Sequence, residues 1–149
     1  MNALVVFHSK FGNTERVAHA IAEGLEPRFS ARVANVDQIA EIDSQDVSLI
    51  LVGGPTQMAD ISPALQAVLS KTPKGALSGV SVAAFDTRYR MPLEESGSAA
   101  HKIAPVLSEL GGELLVPPES FFVLGGEGPL DEGEIERATN WGAKVAAKV

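Results

Sequence analysis

Short apolar runs recur along this chain, and segments with helical periodicity separate them. Three of the runs, Ala3–Phe7, Ser48–Val52 and Val80–Phe85, are too short for helices and almost free of polar residues. Strands of this kind are covered on both faces, as in a parallel sheet. Because parallel strands need long crossover connections, which are usually helices, the pattern predicts an alternation of strands and helices.

The remaining segments fit the same alternation. Ala31–Val36 alternates apolar and polar residues and is predicted to be a less buried second strand. A fifth strand, formed by Glu113–Val116 and Ser120–Val123, is expected to bend at the proline pair between its halves. Helices are predicted at Thr14–Leu25, Pro63–Lys71, Ser96–Leu110 and Asp131–Lys148.

Five strands alternating with helices indicate an α/β fold, a doubly wound five-stranded parallel sheet with helices on both faces. The smaller common version of this fold has the strand order 2-1-3-4-5. At 149 residues, of which 45% are apolar, the chain is predicted to form a single domain over residues 1–149. Ligands of such sheets bind at the carboxyl ends of the strands, where the order reverses between the first and third strands.

The turn after the first strand has the character of a phosphate site. It joins a strand to a helix, so unpaired backbone N–H groups and the positive end of the helix dipole point at whatever lies above it. Gly12 lets the backbone approach a ligand closely. The alternative interpretation is that Asn13 or Thr14 only caps the helix. The candidate phosphate residues are Ser9, Lys10, Phe11, Gly12, Asn13 and Thr14.

Two further segments follow the third and fourth predicted strands, and they should meet this turn at the same edge of the sheet. Glycines before Pro55 would bring the backbone close to a flat ligand, and Tyr89 can stack on an aromatic ring. The simpler interpretations are that Gly-Gly-Pro only ends a strand and that Asp86 only bonds nearby N–H groups. The candidate ligand residues are Gly54, Pro55, Thr56, Gln57, Met58, Phe85, Asp86, Thr87, Arg88 and Tyr89.

Composition excludes several classes of protein. With 12 basic and 19 acidic residues the net charge is −7, which argues against nucleic acid or an anionic membrane surface as a partner. The chain has no cysteine, so thiol nucleophiles, disulfides and cysteine-ligated metal centres are excluded. Its three histidines lack metal-ligand spacing, and no apolar run reaches the roughly 18 residues of a membrane helix. A cytoplasmic protein without a metal site is expected.

Together, the three segments resemble the ligand loops of a flavodoxin, an electron carrier that binds FMN. The resemblance rests on Ser9–Thr14, on Gly-Pro-Thr at Gly54–Thr56 and on the aromatic segment after the fourth strand, and it covers nearly the whole chain. It implies that Ser9–Thr14 holds the FMN phosphate, and that Gly53–Met58 and Phe85–Arg90 enclose the isoalloxazine ring. It also implies redox partner proteins, with no side chain acting as an acid–base catalyst.

The sequence departs from the usual flavodoxin pattern at positions that bear on function. Phe11 stands where many flavodoxins have threonine, and Gln57 and Met58 stand where they often carry tryptophan. Arg88 and Arg90 make the third segment net positive, which should stabilise a negatively charged reduced flavin and raise its reduction potential. Two other functions stay open: an FMN-dependent NAD(P)H:quinone-type reductase, and a flavodoxin-like binding domain without redox activity.

Overall fold

The structure is a computed structural model that describes residues 1–149 as one sheet with helices on both faces. The strands are β1 (Asn2–Phe7), β2 (Ser30–Asn35), β3 (Leu49–Gln57), β4 (Asp60–Ile61), β5 (Ser81–Tyr89), β6 (Glu113–Leu114) and β7 (Glu119–Val123). The helices are α1 (Asn13–Leu25), α2 (Pro63–Lys71), α3 (Leu93–Ser96), α4 (Ala99–Glu109) and α5 (Glu134–Ala147). None of them combines the length and the apolar composition that crossing a membrane requires.

The strand order is β2-β1-β3-β5, with β6 and β7 both beside β5. All of these pairings are parallel. Since β5 is the predicted fourth strand, and β6 and β7 are the two halves of the predicted fifth, the predicted order 2-1-3-4-5 is confirmed. β6 pairs with the start of β5 and β7 with its end, so the edge strand is interrupted around the proline pair, as expected.

The position of β1 explains why its sequence is uniformly apolar. Ala3, Val5 and Phe7 lie in the core beneath α1 and α5, whereas Leu4 and Val6 lie in the core on the opposite face, beneath α2 and α4. Successive side chains of a strand point to opposite faces, so a strand with helices on both sides needs apolar residues throughout. Burying one large aliphatic side chain contributes about 1.5–3 kcal/mol.

The two strands that carry the predicted ligand segments, β3 and β5, extend further than the sequence predicts. β3 runs to Gln57 rather than ending at Val52, and β5 runs to Tyr89 rather than ending at Phe85. They stay paired with each other beyond the end of β1. The predicted loops therefore begin as strand extensions that project past the edge of the sheet.

Pro55 is tolerated within β3 because one side of the strand is open there. It lies opposite Thr87 of β5, whereas β1 pairs with β3 only as far as Gly53. The missing N–H of proline therefore removes no hydrogen bond from the ladder with β1. The interpretation of Gly-Gly-Pro as a strand stop is wrong, because β3 continues through these residues to Gln57.

Two helices begin later than the sequence predicts. α4 begins at Ala99 rather than Ser96, and α5 begins at Glu134 rather than Asp131. In each case a glycine with positive φ stands just ahead of the helix and turns the chain. The apolar periodicity alone does not mark this boundary, because the residues before the glycine also suit a helix.

Candidate functional site

A cavity of about 540 Å³ opens at the carboxyl ends of β1, β3 and β5, beside the point where the strand order reverses. Its volume lies within the usual range of small-molecule sites. All three predicted segments contribute to its wall. The predicted residues that line it are Ser9, Lys10, Phe11, Asn13, Thr14, Pro55, Thr56, Met58, Thr87, Arg88 and Tyr89.

Five of the predicted residues do not line the cavity: Gly12, Gly54, Gln57, Phe85 and Asp86. Phe85 and Asp86 belong to β5, where successive side chains point to opposite faces. The Phe85 ring is buried in the core, with its centroid 6.2 Å from that of Trp141. The Asp86 carboxyl is bonded to the start of α4 instead. The two side chains therefore lie on opposite faces of the sheet, one in the core and one against α4, and neither lines the cavity.

Other residues line the cavity that the sequence does not single out: Ala59, Met91, Glu95, Ser96, Val123 and Gly126. Val123 ends β7 and Gly126 follows it, so both reach the same edge as the other strand ends. The rule that ligands bind at the carboxyl ends of strands would have found them, had it been extended to the last strand. Glu95 and Ser96 come from α3, a single turn too short to leave a periodic signal.

The first turn of α1 forms one end of the cavity and offers unused hydrogen-bond donors. The backbone N–H groups of Asn13, Thr14 and Glu15 have no acceptor within the chain. Gly12 precedes them with φ +91°, and apart from the adjoining residues no atom lies within 4 Å of the position that a Cβ would take there. Its own N–H donates to Ser9 Oγ at 3.1 Å. Unpaired donors and open space at a helix N-terminus form a site for an anion such as a phosphate.

Neither Asn13 nor Thr14 caps α1, so the simpler interpretation of these residues does not hold. The capping residue is Gly12, and no side chain bonds the first amides of the helix. Asn13 Nδ2 instead donates to the carbonyl oxygen of Glu127 at 3.2 Å, and Thr14 Oγ1 lies 2.8 Å from Thr87 Oγ1. These side chains tie the turn to neighbouring segments and leave the amides free.

The N-terminus of α4 is filled by side chains. Thr56 Oγ1 accepts a hydrogen bond from the N–H of Ala99 at 3.0 Å, and Asp86 Oδ2 accepts one from Ala100 at 3.0 Å. The capping residue Ser98 accepts from a third amide at 3.3 Å. An anion in the cavity can therefore accept hydrogen bonds from the amides of α1, whereas the first amides of α4 are already bonded to side chains.

Apolar side chains surround the mouth of the cavity. Met58 is 98% exposed, and Phe11, Tyr89 and Met91 are also exposed. Single exposed apolar residues are common, but a cluster of them at one opening marks a surface that contacts a ligand or a partner. Met58 and Ala59 form the turn between β3 and β4, and both have positive φ, 52° and 63°. This mouth suits a flat, largely apolar group.

Arg88 places a positive charge on the cavity wall. Its Nε donates to Ser120 Oγ at 2.9 Å, and its Nη1 donates to Ser96 Oγ at 2.9 Å. No carboxylate forms an ion pair with it. Arg90 differs, because its Nε lies 2.9 Å from Asp131 Oδ2. Arg88 is therefore a fixed cation without a paired carboxylate, whereas the charge of Arg90 is balanced.

The features of this cavity fit a flavin nucleotide. Free amides at α1 suit an anionic tail, and the open space above Gly12 lets that tail approach the backbone. The apolar mouth suits a flat ring, and hydroxyl groups on the wall between the two ends, from Thr14, Thr56 and Thr87, suit polar atoms along such a ligand.

Known proteins share both the sequence pattern and the fold. The family model described as flavodoxin matches residues 5–141. The flavodoxin of Clostridium saccharobutylicum is 26% identical over an alignment of 160 residues, which covers 100% of this chain and 98% of that protein. The family match extends over most of the chain and confirms the resemblance inferred from the three segments.

Solved structures show the same fold. Oxidised flavodoxin 1 from Bacillus cereus has a TM-score of 0.81 and 19% identity, and the match covers 100% of this chain and 99% of that one. The rubredoxin oxygen:oxidoreductase of Desulfovibrio gigas has a TM-score of 0.75 and 17% identity, and the match covers 98% of this chain but 35% of that one. The same fold thus also occurs within longer chains. On the family match, this chain belongs to the flavodoxin family of flavin-binding electron-transfer proteins.

Proposed function

We propose that this protein is a cytoplasmic electron carrier that binds FMN in the cavity, with the phosphate on the first turn of α1. One observation carries the proposal: the unpaired amides of Asn13, Thr14 and Glu15 lie at one end of a cavity of about 540 Å³. Helix N-termini are ready-made sites for phosphate groups. FMN carries a phosphate at one end and a flat ring at the other, which is the arrangement that the two ends of the cavity require.

The turn Ser9–Thr14 holds the phosphate. Its backbone amides donate hydrogen bonds, and the hydroxyl of Thr14 lies beside them. Lys10 adds a positive charge, and no carboxylate pairs with it. Its Nζ lies over the Phe11 ring, 5.3 Å from the centroid. These donors give a chain of net charge −7 a local site for an anion.

The flavin ring lies over the ends of the paired extensions of β3 and β5, beside Pro55 and Tyr89. Thr56 Oγ1 accepts a bond from a backbone N–H of α4, so its own hydroxyl hydrogen stays free to donate into the cavity. Thr14 and Thr87 share one hydrogen between them, which leaves the other free as well. These walls orient the ring and keep water from most of it, while bound FMN supplies the reversible electron uptake.

Arg88 favours the reduced form of the cofactor. A fixed positive charge on the wall stabilises negative charge on the reduced ring and raises its reduction potential. Arg90 contributes less, because Asp131 balances its charge. We therefore expect a higher potential than in flavodoxins whose corresponding segment is acidic or neutral.

Partner proteins exchange electrons with the flavin at the apolar mouth. Phe11, Met58, Tyr89 and Met91 form a surface that a partner can cover, which brings its own redox centre close to the exposed edge of the ring. The net charge of −7 favours partners with a basic surface, because opposite charges accelerate encounter. Association should therefore slow as the salt concentration rises.

Titration of the cofactor-free protein with FMN and, separately, with riboflavin tests the proposal. Riboflavin has the same ring but no phosphate, so it leaves the amides of α1 without a partner. We expect one FMN per chain and an affinity for riboflavin that is weaker by about 1000-fold or more, since each of the three hydrogen bonds to the charged group contributes about 1.5–3 kcal/mol. Equal affinities would contradict the phosphate position, and absence of FMN binding would overturn the function.

The FMN-loaded protein also separates an electron carrier from a reductase. A carrier reduced beforehand passes its electrons to a partner protein, and it does not turn over a quinone with NAD(P)H faster than free FMN does. Sustained quinone turnover without any partner protein would favour the reductase. A protein that binds no flavin would favour a binding domain without redox activity.

A further inference from the structure

Asp86 is a buried carboxyl group next to the cavity wall. It is 0% exposed and lies on β5 between Phe85, in the core, and Thr87, on the wall. Its Oδ2 accepts hydrogen bonds from the Ser98 hydroxyl and from the N–H of Ala100, whereas its Oδ1 has no hydrogen-bond partner. Burial raises the pKa of Asp86, and the hydrogen bonds from Ser98 and Ala100 oppose only part of that effect.

Ser98 connects this carboxyl group to solvent through His101. The Ser98 hydroxyl oxygen lies 2.9 Å from Nδ1 of the His101 ring and also accepts from the His101 backbone N–H at 3.3 Å. His101 is exposed, so its ring exchanges protons with water. One buried hydroxyl therefore stands between Asp86 and an exposed imidazole ring.

The hydrogen bonds along this path have two complete arrangements. The Ser98 hydroxyl has one hydrogen and two acceptor positions, and its partners use all three. With Asp86 ionised, Ser98 donates to Asp86 and accepts from Nδ1–H of His101. With Asp86 protonated, Asp86 donates to Ser98 and Ser98 donates to Nδ1. Passing from the first arrangement to the second moves one proton from the imidazolium to the carboxylate and leaves a neutral ring protonated at Nε2.

On the other side, Asp86 is linked to the charge on the cavity wall. Ser120 lies opposite Asp86 in β7 and accepts from Arg88 Nε at 2.9 Å. Ser120 makes no hydrogen bond to Asp86 Oδ1, but its side chain and the positive charge of Arg88 both favour the ionised form of Asp86 and so lower its pKa. Since no carboxylate pairs with Arg88 directly, ionised Asp86 offsets part of its charge and protonated Asp86 does not.

We propose that Asp86 is a positioning residue that exchanges a proton with solvent through Ser98 and His101, and that its charge sets how strongly Arg88 attracts an anionic cofactor. The second half rests on the proposed binding of FMN. Protonation of Asp86 frees the charge of Arg88, so FMN binds more tightly. By reciprocity, FMN binding draws a proton onto Asp86.

The groups around Asp86 leave few other charges to act on it. Next to it in the sheet are Gly54 of β3 and Ser120 of β7, which are uncharged. From β5 Arg88 attracts its charge, and from α4 His101 reaches it through Ser98. Because folding raises the pKa of Asp86, this residue contributes most to stability at pH values below the pKa that its side chain has in the unfolded chain. That contribution is lost as the pH rises through the folded pKa.

An NMR titration of the Asp86 carboxyl carbon in the cofactor-free protein tests the proton path. We expect Asp86 to titrate above the usual range of aspartate, and we expect His101→Gln to shift that titration. His19→Gln removes an exposed histidine from α1 and serves as the control, with no shift expected. An Asp86 titration that is identical in wild type and His101→Gln would overturn the path, whatever the protein does with flavins.

The dissociation constant for FMN, measured against pH, tests the coupling to Arg88. Dividing the wild-type value by that of Asp86→Asn cancels the titration of the FMN phosphate itself. Above the Asp86 titration point we expect wild type to bind about fivefold more weakly than Asp86→Asn, and below that point we expect equal affinities. A ratio that stays constant across the titration point would overturn the coupling.

Two further measurements keep the outcomes distinct. Asp60→Asn removes an exposed carboxylate that pairs with Lys102 of α4, and its ratio to wild type should not vary with pH. If Asp86→Asn does not fold, the NMR titration of wild type with and without FMN tests the coupling instead. FMN should raise the pKa of Asp86, and an unchanged pKa would refute the coupling. Failure of wild type to bind FMN would overturn the proposed function and this coupling, while the result for the proton path would stand.

Discussion

Gly12 and Gly133 have the same backbone conformation in different surroundings. Both stand immediately before a helix, with φ +91° and +82°, and in both cases no atom beyond the adjoining residues lies within 4 Å of the position that a Cβ would take. Only Gly12 precedes amides at the cavity. A comparison of the two positions therefore distinguishes the effect of glycine on backbone conformation from its effect on ligand binding.

Replacing each of these glycines by valine should have one effect in common and one that differs. Both variants should lose about 1–2 kcal/mol of unfolding free energy, because a β-branched residue is strained at positive φ. Gly12→Val should also weaken FMN binding by tenfold or more, since its side chain fills the space above the phosphate turn. Urea unfolding and fluorescence titration measure the two effects. Equal FMN affinities in the two variants would contradict the phosphate position.

Arg88 and Arg90 form a second matched pair, because only Arg90 has a carboxylate partner. Arg88→Gln should lower the two-electron reduction potential of bound FMN by about 30 mV, equivalent to about 1.4 kcal/mol. Arg90→Gln should change the potential less, since Asp131 already balances its charge. Equilibrium redox titration of both variants measures the difference. No shift in Arg88→Gln would remove the electrostatic role of Arg88, and equal shifts would contradict the predicted difference between the two arginines.

At the scale of elements, the sequence predicts which segments meet at the site better than it predicts which side chains face it. The strands and their order follow from uniformly apolar runs, because strands covered on both faces carry that pattern. The ends of β3 and β5 do not follow from it. Gly-Gly-Pro is typical of a strand end, and only the pairing with β5 shows that β3 continues through Pro55. The same holds for β5, whose pairing with β3 and β7 continues past Phe85 and places the Asp86 carboxyl against the start of α4.

Glu134 joins α5 to β7. Its side chain is buried, and its Oε2 accepts from the N–H of Phe122 at 2.7 Å and from Arg137 Nη2 at 2.7 Å. Burial on its own would raise the pKa of Glu134, but the hydrogen bonds and the charge of Arg137 outweigh it and the pKa is lowered. Its contribution to stability is therefore present above the pKa of an unfolded glutamate and is lost as the pH falls through its folded pKa.

Glu134→Gln should lose about 2 kcal/mol of unfolding free energy at neutral pH, since a charged acceptor of buried hydrogen bonds is removed. The loss should shrink as the pH falls, because the wild-type carboxylate is then protonated too. Urea unfolding at several pH values measures both effects. Glu136→Gln, an exposed position on the same helix, is the control and should change stability little at any pH. A loss for Glu134→Gln that does not vary with pH would contradict the ionic role.

The contact between α1 and α5 depends on glycine. A Cβ at Gly142 would lie 2.4 Å from the carbonyl oxygen of Ile21, and one at Gly24 would lie 2.0 Å from that of Thr139. Gly142→Ala should therefore lower the unfolding free energy by about 1–3 kcal/mol, although alanine favours helices. Thermal unfolding measures the change. A gain in stability, as expected for an exposed helical glycine, would show that the helices do not pack this closely.

At the scale of the whole molecule, several helices begin at the carboxyl edge of the sheet, and the N-termini of α1 and α4 differ there. The first amides of α4 donate hydrogen bonds to side chains of β3, of β5 and of Ser98, whereas the first amides of α1 have no acceptor. One core lies beneath α1 and α5 and the other beneath α2 and α4, and the cavity opens at the carboxyl edge of the sheet that separates them. The free amides of α1 lie at the cavity, where they give an acidic chain a local site for an anionic ligand.

The most direct test of this account is a crystal structure of the protein with FMN bound. We predict that the phosphate accepts hydrogen bonds from the backbone amides of Asn13, Thr14 and Glu15, with the flavin ring over the ends of β3 and β5. A phosphate bound elsewhere, or FMN absent from the cavity at saturating concentration, would contradict the account.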